Sequence, residues 1–137
     1  MPSAPLPDHL AEWLAAPRPC VLATVRPDGS PVTVACWYEY SDGRVTLSMA
    51  PDAKRVAHIH QNPNVALTIL GDDWYQHLSL LGRVVELQDD PDLTTLDRIS
   101  NHYLGIPYPD REPCRTAVVE IDRWHTYGSP ASERAPT

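Results

Sequence analysis

Residues 20–50 read CVLATVRPDGSPVTVACWYEYSDGRVTLSMA, and this stretch decides the fold class. It contains three runs rich in β-branched and aromatic residues, which favour strands. The runs are separated by Pro-Asp-Gly and Ser-Asp-Gly, and both tripeptides are strong turn signals. The stretch therefore predicts three antiparallel strands joined as a meander.

Further strands follow toward the C-terminus. They are NVALTIL at residues 64–70, WYQHLSLLGRVVEL at 74–87 and CRTAVVEIDRWHTYG at 114–128. Gly82, inside the second of these, predicts a bulge or a close approach of two backbones. Six strands with antiparallel turns and no βαβ alternation favour a mainly β protein, built as a small closed or split β-barrel.

Three short helices are predicted around these strands, because apolar residues recur there at helical spacing. The helical segments are 9–16, 51–63 and 90–104. Asp8 and Asp52 stand where they can cap the first two helices, and Pro63 ends the second.

Length and composition limit the domain organisation and the partners. The 137 residues suit one domain, predicted to span 8–128 between flexible Pro- and Ala-rich tails at 1–7 and 129–137. Eleven Lys and Arg against eighteen Asp and Glu give a net charge of -7, which argues against nucleic-acid binding. No apolar run approaches the ~20 residues that span a bilayer, and no export signal is present. A cytoplasmic protein without a membrane partner is predicted.

Familiar catalytic and metal-binding signatures are absent. The sequence has no nucleophile-elbow, Walker, zinc-protease or dinucleotide-binding motif. Its three cysteines lack C-x-x-C spacing, which argues against a zinc knuckle and a disulfide framework. His58 and His60 are two residues apart in a predicted helix, so they face different directions and no metal site is predicted. The acidic pair Asp89-Asp90 is interpreted as helix-capping or solvated charge.

The basic pair Lys54-Arg55 stands at the start of the predicted second helix, where the helix dipole disfavours cations. The free amide groups of a first helical turn, together with two cationic side chains, suit a phosphate group. The plainer alternative is an exposed pair neutralised by Asp52 or another acid. The sequence leaves both interpretations open.

Aromatic side chains are concentrated near strand ends and around the Pro-rich segment 105–113, where they could form the walls of a slot for a flat heterocycle. The residues concerned are Trp37, Tyr38, Tyr40, Trp74, Tyr75, Tyr103 and Tyr108. Core filling in a protein without Phe is the alternative for each of them. A planar cofactor that carries a phosphate accounts for the aromatic residues and the cation pair together.

The order of these segments resembles the split-barrel flavin and deazaflavin oxidoreductases that include pyridoxamine 5'-phosphate oxidase. The resemblance covers about residues 8–128 and rests on CVLATVRPDGSPVTV, on TLSMA followed by AKRVAHIHQNPNVALTI, and on LSLLGRVVEL. It is greatest to the short actinobacterial branch assigned to the deazaflavin coenzyme F420. The family implies a six-stranded antiparallel split β-barrel with two or three short helices, and a homodimer with cofactor sites at the subunit interface.

The resemblance also assigns residues to the cofactor. Lys54 and Arg55 match the pair that holds the cofactor phosphate, although in reversed order, and Ala57 stands where many relatives have another basic residue. His77 falls near a position from which relatives contact the ring. The residues implied to lie along the ring through backbone contacts are Val34, Ala35, Cys36, Ser48, Met49 and Ala50.

Hydride transfer between reduced coenzyme F420 and a small conjugated organic substrate is the activity that the resemblance implies. The smaller number of cations leaves FMN open as the cofactor of an oxidase or reductase. A non-catalytic protein that stores F420 or flavin and a haem-binding relative are further alternatives. Because the cofactor ring carries the chemistry, no indispensable catalytic side chain is predicted.

Overall fold

The sheet is assembled largely from segments that are distant in sequence. The computed structural model describes residues 1–128. The elements in chain order are α1 (Asp8–Leu14), β1 (Cys20–Val25), β2 (Pro31–Cys36), β3 (Glu39–Ser41), β4 (Arg44–Met49), α2 (Lys54–Gln61), β5 (Asn64–Leu70), β6 (His77–Asp90), α3 (Thr94–Leu104) and β7 (Cys114–Tyr127). The strands pair antiparallel in the order β2-β1-β5-β6-β7-β4-β3.

The mainly β, antiparallel split-barrel class is confirmed, but residues 1–128 contain seven strands rather than six. The extra strand arises because the second predicted run breaks into β2 and β3. At the break, Tyr38 enters the core with 1% of its surface exposed. Its hydroxyl shares its one hydrogen between the carbonyl oxygens of Leu14, at 2.7 Å, and Ala16, at 2.9 Å. These bonds attach the turn to the end of α1.

The predicted three-stranded meander is wrong, although its two hairpins are present. β1 pairs with β2, and β3 pairs with β4. However, β2 and β3 lie at opposite edges of the sheet. The inner strand of each hairpin pairs with a distant strand instead, β1 with β5 and β4 with β7, and this buries Leu22 and Leu47 in the core.

The two longest strands, β6 and β7, bend where their pairing register shifts. One shift lies at Leu81/Gly82 and the other at Val84/Glu86. A Cβ atom on Gly82 would collide with the carbonyl oxygen of Glu120 and lie 2.9 Å from the Val119 side chain. The predicted bulge and close backbone approach at Gly82 are therefore confirmed.

The helix starts differ from the predicted capping. The caps of α1 and α2 are Pro7 and Ala53, and no side chain caps either helix, so Asp8 and Asp52 do not act as predicted. Asp90 does act as a cap. Its buried carboxylate accepts hydrogen bonds from the first-turn amides of α3, at Thr95 and Leu96.

Part of residues 1–7, which the sequence predicts to be a flexible tail, is hydrogen-bonded to β7 in this structure. The Ala4 amide donates to the Asp122 carbonyl at 2.8 Å, and the Trp124 amide donates to the Pro2 carbonyl at 3.1 Å. β4 pairs with β7 only as far as Glu120. The backbone groups of β7 beyond Glu120 on this edge can therefore form hydrogen bonds with the N-terminal segment. The predicted tail at 129–137 lies outside the described residues. No helix in residues 1–128 is long and apolar enough to span a membrane.

Candidate functional site

A cavity of about 400 Å³ lies where the ends of several elements meet. The walls come from the ends of β2 and β4, the start of β7, both helices α2 and α3, and the loop after α3. The lining residues are Ala35, Cys36, Trp37, Ser48, Met49, Ala50, Pro51, Arg55, Leu96, Ile99, Tyr108, Asp110, Glu112, Pro113 and Cys114. This volume falls within the range of about 300–1,000 Å³ that small-molecule and cofactor sites occupy.

Strand endings create this cavity. β2 stops at Cys36 because Tyr38 turns into the core, and β4 stops at Met49 before Pro51. The chain then leaves the sheet and starts α2, with Val56 and Ile59 buried against the core. This register places Arg55 at the cavity wall.

The two predicted cations have different environments. Arg55 is half-buried and lines the cavity, whereas Lys54 is exposed and lies outside the lining. Within residues 1–128, neither side chain pairs with a carboxylate. The alternative of a pair neutralised by Asp52 therefore does not describe this structure. Since no side chain caps the first turn of α2, the helix dipole and Arg55 both favour an anion at this wall.

Five other arginines of residues 1–128 are paired with acids. Arg83 is typical, with Nη2 lying 3.2 Å from Glu120 and 3.0 Å from Asp122. The arginines that form ion pairs are Arg44, Arg83, Arg98, Arg111 and Arg115. Within the same residues, Arg26 and Arg123 are exposed without such a pair, and the half-buried Arg18 instead donates to the Trp13 carbonyl and stacks on the Trp13 ring. Arg55 lacks an acidic partner in the described part of the chain although it is half-buried. Its charge is therefore available to a ligand.

Besides Asp110 and Glu112 of the loop, the polar side chains that line the cavity with Arg55 include Ser48 and two cysteines. Ser48 has a buried hydroxyl oxygen that makes no hydrogen bond of ordinary geometry within residues 1–128, apart from a weak interaction with the Cys114 thiol. Burial is the main cause that raises the pKa of Cys114. The pKa of Cys36 is lowered, chiefly by a hydrogen bond with Cys20 and further by the charge of Arg55, while burial acts in the opposite direction.

Aromatic rings form one side of the cavity. Trp37 stacks on Tyr103, with ring centroids 5.0 Å apart and planes inclined by 14°, and meets Tyr108 edge to face at 5.9 Å. Tyr103 also donates a hydrogen bond of 2.7 Å to the Arg18 carbonyl. The wall is therefore fixed by both stacking and hydrogen bonding.

The loop over the cavity, residues 105–113, is attached to α3 through Asp97. The Asp97 carboxylate accepts hydrogen bonds from the Tyr108 amide at 3.0 Å and from two Arg111 nitrogens at 2.7 and 3.0 Å. The Arg111 guanidinium holds the pKa of Asp97 below its ordinary value. This pairing fixes Tyr108 at the cavity.

The structure brings together six of the nine residues that the sequence assigned to the cofactor: Ala35, Cys36, Ser48, Met49, Ala50 and Arg55. Val34, Lys54 and His77 lie outside the lining. His77 stacks on Tyr127 at 5.4 Å, and Trp74 and Tyr75 belong to the same cluster. The predicted aromatic residues thus do not form one slot.

The part of the wall that the second half of the chain contributes was not predicted from the sequence. Cys114 reaches the site because β7 pairs with β4, with Arg115 opposite Met49. No local pattern indicates a pairing of residues so far apart. Leu96 and Ile99 belong to the predicted apolar stripe of α3, and only the packing shows that they also line a cavity.

Comparison with known proteins agrees with this architecture. Residues 6–128 match the sequence profile of the pyridoxamine 5'-phosphate oxidase family. The chain belongs to this family. Its fold is therefore one that binds flavins or deazaflavins, and its members are generally oxidoreductases. No curated protein matches the chain.

Several solved structures with a similar fold superpose on the chain. An F420 reductase has a TM-score of 0.79 and 26% identity, covering 88% of this chain and 98% of its own. General Stress Protein 26 from Bacillus anthracis has a TM-score of 0.65 and 20% identity, covering 87% and 94%. A conserved hypothetical protein from Mycobacterium tuberculosis has a TM-score of 0.68 and 19% identity, covering 98% and 92%. The last two likenesses show the fold alone.

Proposed function

We propose that this protein is an F420-dependent oxidoreductase that transfers a hydride from the reduced deazaflavin to a small conjugated organic substrate. The observation that carries the proposal is Arg55, a half-buried cation on a cavity wall with no carboxylate partner in residues 1–128. The likeness to an F420 reductase at 26% identity supports the choice of cofactor.

The residues present fit a planar cofactor with an anionic tail. Arg55 and the uncapped first turn of α2 would hold the phosphate. Ser48 has a buried hydroxyl without a strong partner, so it can donate a hydrogen bond to a ring or phosphate oxygen. Trp37 and Tyr108 would shield one side of the ring from water.

The role of the protein in this proposal is binding and alignment. Reduced F420 supplies the hydride when bound, and the ring carries that chemistry. The aromatic wall and Met49 keep the site dry, while the loop attached through Asp97 bounds the space left for the substrate. Changes to the wall are therefore expected to act through cofactor affinity and orientation.

FMN is the second candidate cofactor. Arg55 is the single basic residue in the cavity lining within residues 1–128, and Ala57 is exposed on α2 where many relatives have another cation. One guanidinium suffices for one phosphate, whereas a longer polyanionic tail gains from additional cations. The cavity therefore also suits a flavin mononucleotide.

A homodimer with the cofactor between subunits forms part of the proposal. The aromatic cluster around His77 exposes 71% of Trp74 and 52% of Tyr75, and such exposed aromatic groups are typical of interfaces. A second copy that covers the partly open cavity with this cluster would bring His77 to the ring. Light scattering on the eluting protein should then give about twice 15.3 kDa. A monomer with cofactor bound would contradict this arrangement.

The decisive experiment is a paired titration followed by turnover. Fluorescence quenching of F420 and of FMN gives two dissociation constants, and the proposal expects F420 to bind at least about tenfold more tightly. Reduced F420 is then mixed with enones and quinones, and its reoxidation is measured. Tighter FMN binding would favour the second candidate. Tight F420 binding without turnover would indicate a storage protein.

A further inference from the structure

Two cysteines lie opposite each other at the edge of the sheet. Cys20 in β1 is the direct antiparallel partner of Cys36 in β2, so both side chains point to the same face. Their sulfur atoms are 4.0 Å apart and share a hydrogen bond. Both thiols are free. The pair is not used in the proposed hydride transfer.

The two thiols have different access to solvent. Cys20 is in the core with 1% of its surface exposed. Cys36 is half-buried, packs against the core and forms part of the cavity wall. A small reagent that enters the cavity therefore reaches Cys36 first.

The backbone geometry already suits a disulfide. Directly opposed residues of antiparallel strands have Cα atoms about 4.5–5.5 Å apart. Disulfides span Cα separations of about 4.4–6.8 Å, with the sulfur atoms at about 2.0 Å. The two sulfurs need to approach by about 2 Å from their present distance, and side-chain rotation can supply this movement without a change in strand pairing.

The reactivities of the two thiols are also different. The hydrogen bond with Cys20 and the charge of Arg55 lower the pKa of Cys36, and they favour its thiolate, which is the nucleophilic form. The same hydrogen bond and burial raise the pKa of Cys20. Cys36 is thus the attacking thiol, and Cys20 is the resolving thiol behind it.

We propose that Cys20 and Cys36 form an oxidation site, in which a hydroperoxide entering the cavity converts the two thiols into a disulfide. The Cys36 sulfur attacks the peroxide, the O–O bond breaks, and Cys36 becomes a sulfenic acid as one water leaves. The Cys20 sulfur then attacks Cys36, the S–O bond breaks, and the hydroxide leaves with the Cys20 proton as a second water. Two thiols and one hydrogen peroxide give one disulfide and two waters.

The disulfide would change the cavity as well as the strand edge. It draws the Cys36 sulfur toward the core and removes the Cys36 thiol from the vicinity of Arg55. It also links the edge strand β2 to β1 immediately before Trp37, which lines the same cavity. A reducing agent would reverse both changes.

The test is a peptide map of the whole protein after treatment with hydrogen peroxide, with remaining thiols alkylated and no reductant added. Cleavage before aspartate separates the two cysteines, because Asp8, Asp28 and Asp42 bound the peptides 8–27 and 28–41. The expected product is these two peptides joined, with a mass about 2 Da below their sum. A dithiol reductant should restore the separate peptides.

Two variants make the result specific. Cys114→Ser is the matched control, because Cys114 is a half-buried thiol in the same cavity, and it should leave the linked product unchanged. Cys36→Ser should abolish the product, and the Cys20→Ser protein should instead retain oxygen on Cys36. Separate peptides from the peroxide-treated wild type, or a link that involves Cys114, would overturn the proposal.

A protection experiment separates this inference from the proposed function. Bound F420 should slow the alkylation of Cys36 by iodoacetamide, since the cofactor would fill the cavity that Cys36 lines. Disulfide formation without protection by F420 would contradict the cofactor placement and leave the oxidation site intact. Protection without a disulfide in the peroxide-treated free protein would contradict the oxidation site alone.

Discussion

Arg83 in the β6–β7 ladder and Arg55 at the cavity end of the sheet differ in whether an acidic side chain lies beside them. In the ladder, Arg83 lies 3.2 Å from Glu120 and 3.0 Å from Asp122, and Arg44 lies 3.7 Å from the same Glu120. At the cavity, Arg55 has no carboxylate partner among residues 1–128 although it is half-buried. The charge of Arg83 is therefore compensated by neighbouring acids, whereas the charge of Arg55 is not.

Buried polar atoms without a hydrogen-bond partner occur in both regions within residues 1–128: Ser48 Oγ at the cavity, and Arg115 Nε, Thr116 Oγ1 and Trp124 Nε1 on β7. The junction next to the cavity satisfies the buried Tyr38 hydroxyl with two carbonyl oxygens, yet Ser48 on the cavity wall lacks a strong partner within residues 1–128. Leaving a buried polar group unpaired costs about 1–3 kcal/mol, so such groups are expected where a ligand can pair with them. The feature that distinguishes the cavity end from the ladder is therefore a half-buried arginine without an acidic partner in residues 1–128.

The largest effect is expected in the ladder, from Gly82→Ala. The added methyl group would collide with the Glu120 carbonyl and the Val119 side chain, so β6 and β7 would have to separate. We expect the free energy of unfolding to fall by about 3 kcal/mol or more, as urea titration would show.

A glycine in open space provides the control for this change. Gly29 has a φ of 89°, and no atom lies within 4 Å of the position that an added methyl group would take. Gly29→Ala should therefore cost only about 1–2 kcal/mol of backbone strain. Equal losses in both variants would show that the close approach at Gly82 does not limit stability.

The next effect is expected from Tyr38→Phe, at the junction between α1 and the cavity. Two carbonyl oxygens, of Leu14 and Ala16, lose their buried donor. Thermal or urea unfolding should show a loss of about 1–3 kcal/mol. Tyr127→Phe, at a side chain that is 47% exposed, should change stability by less than about 0.5 kcal/mol. A neutral Tyr38→Phe variant would mean that these hydrogen bonds do not hold the junction.

The smallest effect concerns the loop over the cavity and depends on pH. Arg111 lowers the pKa of Asp97 in the folded protein, so the ionised carboxylate favours folding. This contribution is complete above the ordinary aspartate pKa and is lost as the pH falls through the lowered, folded pKa. The stability difference between wild type and Asp97→Asn should therefore shrink as unfolding is measured at decreasing pH below about 4. A difference that grows on acidification would contradict the assigned ion pair.

The sequence was sufficient to predict most helices and strands and much of the cavity wall. The strand runs, the mid-strand Gly82 and the unusual position of Arg55 are local signals, since each depends on neighbours within a few residues. The departure of Tyr38 from the sheet is not local, because it depends on carbonyl oxygens at the end of α1.

Long-range pairing explains the remaining errors. Strands β2 and β3 separate to opposite edges because β4 pairs with β7, and this pairing also brings Cys114 to the cavity. His77 pairs with Tyr127 at the far end of β7, away from the residues with which the sequence grouped it. Hydrophobic periodicity specifies which face of a strand is buried, but it does not specify the partner strand.

The central claim is that Arg55 is left without a protein partner because it binds the anionic part of the cofactor. The most direct measurement is the dissociation constant of F420 for wild type, Arg55→Ala and Arg83→Ala. Loss of a charge-assisted contact should weaken binding by about 10- to 100-fold in Arg55→Ala, while Arg83→Ala stays within about twofold of wild type. Equal affinities of all three folded proteins would contradict the claim.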